Sequence, residues 1–460
     1  MCRQLADVFS SHGESLYVVG GSVRDAILGR ETKDIDLATS ATPDEIKRLL
    51  AAAEPDSIYD VGEKYGTIGA IFGDGDDALR FEITTFRSEK YTPRSRRPEV
   101  RFGTSIEGDL SRRDFTMNAL ARDIRTGRII DPFGGLDDIA RRTIRAVGNP
   151  DERFAEDPLR LLRAVRFASE LQFQIEPRTR AAIARDAPGL ADISRERILE
   201  EINRILLSPV PSVGLRLLVD LNLAQQVLPE VVALRTTSQG RRSKDVLAHT
   251  LMVVDRSPRD LVSRWSALLH DIGKPATLVT DGDDVAFPGH DAVGERLARD
   301  ILTRLRLDVR STERITKLVG LHMRANQYED EWTDGAVRRL MREAGEDLPL
   351  LLGLSLADVT SYREAKQRAA AARVRRLKAR ADAIAEQENV QAIKSPLDGN
   401  DLMELFGGKP GPWIGRIKDH LLGLVLEGSL HQNDRERAVE IARELVAGGE
   451  TGAVGGANSS

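Results

Sequence analysis

The chain holds one cysteine, Cys2, in 460 residues, so no intrachain disulfide can form, and a reducing cytoplasm is the expected setting. No run approaches the roughly 18 apolar residues a membrane span needs, and the N-terminus lacks the charged-then-apolar profile of a signal peptide. A membrane is therefore not an expected partner. Tandem repeats of the solenoid type are missing as well. Basic charge is not in excess: 67 Lys and Arg stand against 72 Asp and Glu, a net charge of −5. That balance argues against a chain coated in nucleic acid and leaves binding to local patches. What is present is 41% hydrophobic and 30% charged residues, the mix of a globular protein with a large solvated surface. The length calls for about two to four structural units.

The most informative stretch runs from Tyr17 to Asp36, YVVGGSVRDAILGRETKDID. Tyr17-Val18-Val19 reads as a buried strand, and Gly20-Gly21 breaks it with the permissive backbone of a phosphate-cradling turn. Ser22 is placed to cap the following helix, with Arg24 and Asp25 in its first turn. Asp34 and Asp36 flank Ile35; in a strand both carboxylates project to one face while Ile35 faces the core. Two like charges held together repel, and a divalent cation is the usual reason to tolerate them. Taken alone, the Asp-x-Asp reads as a solvated pair on a βαβ fragment.

Its context carries more. GGSVRDAILGR with KDIDLAT resembles the first motif of the nucleotidyltransferases that mature transfer RNA ends and of their bacterial poly(A) polymerase relatives. RRDFTMNA (Arg112 to Ala119) resembles their second motif, DPFGG (Asp131 to Gly135) the turn closing the catalytic head, and EDPLRLLRAVRF (Glu156 to Phe167) the nucleobase-reading helix. The resemblance covers about residues 15 to 440. It implies attack of an RNA 3′-hydroxyl on the α-phosphate of CTP or ATP, and a CCA-adding activity of the bacterial, eukaryote-like class. The implied catalytic residues are Asp34, Asp36 and Glu82, the first two as ligands of magnesium. Glu82, in RFEITTFR with Arg80 and Thr84 at same-face spacing, is otherwise a structural edge-strand acid. Gly21, Arg24, Arg113, Asp114 and Asn118 are expected around the triphosphate and ribose.

Base choice without a template requires the protein to read the Watson–Crick edge. Asp157 and Arg160, three apart, are expected to share one helical face and to offer an acceptor beside a fork of donors, which admits C and A and rejects U and G. Arg163, one step further, is expected to reach phosphate or the base stack. Glu156 and Arg166 are equally surface or buttressing residues.

Four of the seven histidines fall between residues 249 and 322. His249 lies in a helical pattern, His270-Asp271 closes a helix, His290 begins one and His322 ends one, and Asp358 lies on a later helix. Imidazole and carboxylate together suit Mn, Fe, Ni or Zn, with carboxylates also suiting Mg. The order His, His-Asp, Asp and the stretch LLHDIGKPAT resemble the HD phosphohydrolase superfamily. That resemblance implies His249, His270, Asp271 and Asp358 as core ligands, His290 and His322 as ligands in two-metal members, and hydrolysis of phosphate esters. The alternative is a metal-free helical spacer.

Organisation follows the same pattern. Strand candidates Tyr17–Val19, Ile68–Phe72, Leu79–Thr84 and Ile129–Ile130 precede an almost uninterrupted helical series from about residue 150, with apolar stripes Leu159, Leu162, Val165, Phe167 and Ile198, Ile202, Ile205, Leu206. The expected fold is α+β: a small α/β nucleotidyltransferase head with a mixed sheet, then a long all-helical body including an HD-type domain. Expected boundaries are a head at 1–147, a nucleobase-recognition neck at 148–235, an HD domain at 236–365, a tRNA-binding region at 366–447 and a disordered tail at 448–460. The basic, proline-bearing segment 87–101 reads as a mobile arm, and the basic helix from Arg363 to Arg380 and the Lys409-Pro410-Gly411-Pro412 helix start as tRNA contacts. Expected partners are the tRNA 3′ end, CTP and ATP, and no DNA; oligomeric state is open. Rival readings are a poly(A) polymerase, an enzyme adding only C or only A, and an HD phosphohydrolase with an RNA-binding head.

Overall fold

A computed structural model describes the chain except residues 32, 63–65, 91–98, 104, 238–244, 282–283, 361–363, 388–392 and 449–460. It divides into two compact units, Met1–Val232 and Ala233–Ser460.

The first unit opens with a mixed sheet. Its strands are β1 (Leu16–Val19), β2 (Asp34–Thr39), β3 (Ser57–Gly62), β4 (Thr67–Phe72) and β5 (Leu79–Thr85); β6 (Arg87–Lys90) and β7 (Glu99–Phe102) form a separate hairpin; β8 (Ala121–Asp123) and β9 (Ile129–Ile130) complete the sheet. The order is β3-β4-β5-β2-β1-β8-β9, with β2 and β5 parallel and the remaining neighbours antiparallel. Alternation along the central strands separates two faces. Leu37, Ile68, Ala70, Phe81 and Ile83 point to the back, against Leu5 and Phe9 of the helix Cys2–Ser11 and Ile46, Leu49 and Leu50 of the helix Pro43–Ala52. Each large side chain buried there contributes roughly 1.5–3 kcal/mol. The second helix starts at a capping box between Thr42 and Glu45, with Pro43 in its first turn. The front face divides: Ala38 packs with Val19, Phe86, Ile106 and Leu110 in a second small core, while Asp34, Asp36 and Glu82 lie outside it.

The four strand candidates are all present, within a residue at their ends, but β3, β8 and the β6–β7 hairpin carry too little apolar alternation to stand out in the sequence. The hairpin accounts for both ends of the basic arm; residues 91–98 between them lie outside the described ones, as does most of the expected tail.

Beyond the sheet the first unit is helical. In the helix Leu159–Leu171 nearly every residue is buried, and in the helix Arg195–Leu206 the stripe Ile198, Ile202, Ile205, Leu206 is fully buried. The two pack against each other.

The second unit is helical throughout its described residues apart from a small hairpin, Val279–Asp281 with Asp284–Ala286. One core gathers Leu318, Val337, Leu340, Leu351, Val374 and Leu377. Another, towards the C-terminus, centres on Leu402, Trp413, Ile417 and Leu421. No described helix is long and apolar enough to cross a membrane.

Candidate functional site

β2 begins where the chain returns from the helix Gly21–Ile27. Gly20 occupies the N-cap of that helix with φ 67°, and a Cβ there would lie 2.6 Å from Nη1 of Arg113, so both backbone and space require glycine. Ser22 is therefore not the cap. Its hydroxyl accepts the Asp36 N–H at 2.9 Å instead and ties the helix to the acid-bearing strand. Asp34 and Asp36 face the front of the sheet. Parallel pairing sets Asp36 beside Glu82 and Asp34 beside Arg80. Partial desolvation raises the pKa of Asp36, with Asp34 adding to the rise and Arg113 opposing it. Desolvation, then Asp36 and Asp34, raises that of Glu82. A dication relieves this mutual repulsion, so the three acids fit a metal, although their oxygens are less tightly gathered than the histidine clusters described below.

Beside Asp36 opens a cavity of about 440 Å³ rich in arginine. Gly21, Arg24, Arg113, Asp114, Asn118, Asp157, Arg160 and Arg163, all eight nucleotide-binding candidates, line it. Arg24 is braced by Asp25 at 2.8 and 2.9 Å and donates to Asn118 Oδ1 at 2.6 Å. Asp114 accepts from Arg163 (2.8 Å), from Asn118 Nδ2 (3.1 Å) and from the Phe115 N–H (2.8 Å). Burial opposes its ionisation, but Arg163 and these hydrogen bonds hold its pKa down at about 2. Phe167 lies under three guanidiniums, those of Arg166, Arg24 and Arg163, at 4.3, 5.1 and 5.5 Å from its ring centroid.

Asp157 and Arg160 do not share a helical face. The helix Pro150–Glu156 ends at Asp157, whose backbone is extended (φ −145°, ψ 99°), and the next helix starts at Leu159. Pro158 disfavours helical geometry in the residue before it, so the break is local in origin. Both side chains nevertheless reach the same cavity. Asp157 accepts from the Leu159 N–H at 3.1 Å and from Arg197 at 2.9 Å. Arg160 donates to Glu156 at 2.6 Å and to the carbonyls of Arg153 and Arg112 at 2.8 and 2.9 Å. Glu156 thereby acts as a buttress. Arg166 is likewise internal: it pairs with Glu201 at 3.0 Å, and burial lowers its pKa to about 10.

Three contributors were not singled out in the sequence. Arg197 and Arg204, from the helix Arg195–Leu206, complete the cavity wall. Asp109, almost fully buried, accepts from Arg112 at 2.7 Å and Arg113 at 3.0 Å and so aims both arginines. An acid three and four residues before an Arg-Arg pair on a short helix was the available signal.

The second unit assembles the histidines. His249 comes from the helix Val246–Arg256, His270 and Asp271 from the end of Leu261–Leu269, His290 from the first position of His290–Arg304, His322 from within Val309–Asn326, and Asp358 from the end of Leu348–Ala357. His322 thus lies a turn before the end of its helix rather than at it. Each Nδ1 is pinned: to Thr360 for His249 (2.8 Å), and to the carbonyls of Ala267, Phe287 and Val319 for His270, His290 and His322 (2.8, 2.8 and 2.6 Å). The Nε2 atoms then turn inward. Two triplets, His249-His270-Asp358 and Asp271-His290-His322, each have ligand atoms within 4.8 Å of one another. The Nε2 atoms of His290 and His322 are buried without a hydrogen-bond partner, which fits both as metal ligands. Burial, and then His270, lowers the pKa of His322 to about 4, so it offers a neutral lone pair. Against burial, His270 and Lys274 hold Asp271 well below the usual carboxylate range. Gly273 permits the packing, since a Cβ there would strike the His290 carbonyl at 2.1 Å.

Compared with known proteins, the chain is 33% identical to the CCA-adding enzyme of Enterococcus faecalis (strain ATCC 700802 / V583) over 443 residues, 96% of this chain and 95% of that one. The chain belongs to the CCA-adding enzyme family. The CCA-adding enzyme of Geobacillus stearothermophilus is 47% identical over 263 residues, 57% of this chain and 60% of that one. Among solved structures, that of the Bacillus stearothermophilus CCA-adding enzyme in complex with CTP superposes with a TM-score of 0.65 at 28% identity, covering 98% of both chains. Family models place a poly A polymerase head domain at residues 16–145, a probable RNA and SrmB-binding site of polymerase A at 172–234 and an HD domain at 240–363. Metal dependence is general to the head and HD families, and both donor sets described above are of a kind that holds divalent ions.

Proposed function

We propose that this chain adds C, C and A to the 3′ end of tRNA from CTP and ATP without a template. One observation carries the reading: Asp36, on the acid-bearing face, is also a wall of the arginine-lined cavity that holds Asp157 and Arg160. On this reading, chemistry and base recognition lie within one site, and the relative solved in complex with CTP supports CTP as a substrate. The acceptor 3′-oxygen forms a bond to the α-phosphorus as the bond to the bridging α–β oxygen breaks. Pyrophosphate leaves with that electron pair, and the hydroxyl proton passes to solvent. Arg24, Arg113 and Arg163 bind and orient the triphosphate; Asn118 fixes Arg24, Asp109 fixes Arg113 and Asp114 fixes Arg163, and Asp114 and Asn118 also meet the ribose. Asp157 accepts from the exocyclic amino group shared by C and A, and Arg160 donates to the ring. Asp34, Asp36 and Glu82 would hold magnesium, which supplies Lewis acidity at the reacting phosphate.

The six HD residues form a second centre with hydrolytic chemistry on phosphate esters, such as 2′,3′-cyclic or terminal phosphates of damaged RNA ends. They would hold Mn, Ni, Fe, Zn or Mg. In domain terms this reading assigns a head to 1–147, a base-reading neck to 148–235, the HD domain to 236–365 and a tRNA-binding region to 366–447. In that last region the helix Glu364–Gln387 commits Arg376 and Arg380 to Asp330 and Asp334 and pairs Arg368 and Lys378 with its own Glu364 and Asp382, while the exposed Lys366 and Arg375 are offered to RNA phosphates.

The test is addition to tRNA lacking its 3′ end, each nucleotide supplied singly and then CTP with ATP, products sized by gel. Two C additions followed by one A are expected. Runs of A, or arrest after C, would support the poly(A) or partial-enzyme readings; hydrolysis without addition would support the HD phosphohydrolase.

A further inference from the structure

Two cavities open on the acid-bearing face and share a wall. The first is the arginine-lined pocket containing Asp157 and Arg160. The second, of about 540 Å³, has Asp36, Arg112, Arg113 and Arg163 in common with it and extends past Glu82 to Thr67 and Thr84. The base-reading groups line only the first, so in a two-substrate reaction the second remains for the other substrate. We propose that this second cavity seats the 3′-terminal ribose of the RNA acceptor, with the Thr67 and Thr84 hydroxyls reading its 2′-hydroxyl. The inference rests on the nucleotidyl-transfer reading above and adds to it a subsite and a sugar specificity.

The strand register builds this subsite. Thr84 lies two residues beyond Glu82 on β5, hence on the same face. Thr67 on β4 is its register partner, and the two Oγ1 atoms are 3.0 Å apart. In such a pair one hydroxyl donates to the other, which leaves one hydrogen and the remaining lone pairs for a ligand. A pair that both donates and accepts matches a 2′-hydroxyl, the group by which RNA is told from DNA. A ribose held there by its 2′-hydroxyl presents the neighbouring 3′-oxygen towards Glu82 and Asp36. Thr67 is buried and Thr84 half-buried, so their hydroxyls meet a ligand with little competition from bulk water. Arg87, also in the lining, supplies positive charge for the acceptor phosphate.

The experiment uses the full chain, CTP and two tRNA acceptors that differ only in a terminal ribose or 2′-deoxyribose. The wild type is expected to prefer the ribose end by about tenfold in kcat/KM, the scale of one or two hydrogen bonds to an otherwise unpaired buried group. Thr67→Val with Thr84→Val keeps the β-branched shape and removes both hydroxyls; the preference should fall to about twofold or less. Thr67→Ser with Thr84→Ser should restore it. Because the readout is a ratio on one preparation, a partly unfolded variant does not distort it. An unchanged preference in the valine variant overturns the inference. So does a raised KM for CTP with the preference intact, which would assign the cavity to the triphosphate. Failure of the wild type to extend even the ribose acceptor would overturn the nucleotidyl-transfer reading, and this inference with it.

Discussion

Arg197 donates a hydrogen bond to the Asp157 carboxylate at 2.9 Å, from a helix that begins some forty positions further along the chain. The acid proposed to read the nucleobase is thus aimed by a residue outside the motif that contains it. Asp157→Ala should erode the preference for C and A over U and G, because a hydrogen-bonding site discriminates by leaving wrong partners unpaired. Arg197→Ala should erode it in the same direction but less, since Asp157 keeps its bond to the Leu159 N–H. Misincorporation of UTP and GTP, each supplied alone, is the measurement. A slow Asp157 variant with unchanged preference would make that residue structural.

Asp34→Ala or Asp36→Ala should lower turnover at least about a thousandfold while tRNA binding largely persists, the scale expected for loss of a metal ligand in phosphoryl transfer. Single-turnover rates at saturating magnesium, beside a filter-binding assay, decide it. Retention of more than about a tenth of wild-type turnover in either variant would remove that residue from the catalytic set.

Asp114 ties acid stability to the nucleotide pocket. Its pKa is held at about 2, below the ordinary 3.8, chiefly by Arg163 against the cost of burial. A carboxyl lowered in the folded state contributes stability that is complete above about pH 4 and is lost as pH falls towards 2. The gap corresponds to about 2 kcal/mol. Asp114→Asn lacks this titration, so the stability difference between wild type and variant should shrink by about that amount from pH 5 to pH 2. Calorimetric melts at stepped pH measure it; a difference that stays constant with pH would show that Asp114 does not carry the shift.

Substituting His270 and Asp271 together by alanine should eliminate phosphoesterase activity on cyclic nucleotides or model esters. Nucleotide addition should stay within a few-fold, because none of the ligands proposed for it belongs to that unit. Both residues are buried, so melting and metal content must be recorded alongside. Hydrolysis that persists in a folded, metal-depleted variant would refute the phosphoesterase assignment. Loss of both activities with an unchanged melt would mean that the two sites are coupled.

Local chemistry was legible in the chain itself. Asp-Ile-Asp shows its same-face carboxylates because a strand has period two, and the stripe Ile198, Ile202, Ile205, Leu206 shows its buried side because a helix has period 3.6. The histidines and aspartates, by residue type, by their places on helices and by the HD resemblance, pointed to a candidate metal-binding group, and the structure gathers them into two triplets. What the sequence could not show was pairing between distant segments. Placing Glu82 beside Asp36 depends on β2 and β5 running parallel, and joining Thr67 to Thr84 depends on the register of β4 against β5. The orphaned Nε2 atoms of His290 and His322 exist only once helices distant in sequence pack together and bury them. Even Asp157 and Arg160, close in sequence, do not share the helical face that their spacing suggests, because Pro158 ends the helix and Arg197 then decides where the acid points. Spacing along a chain specifies direction only within one regular element; across a break or between strands, packing and hydrogen-bond partners decide.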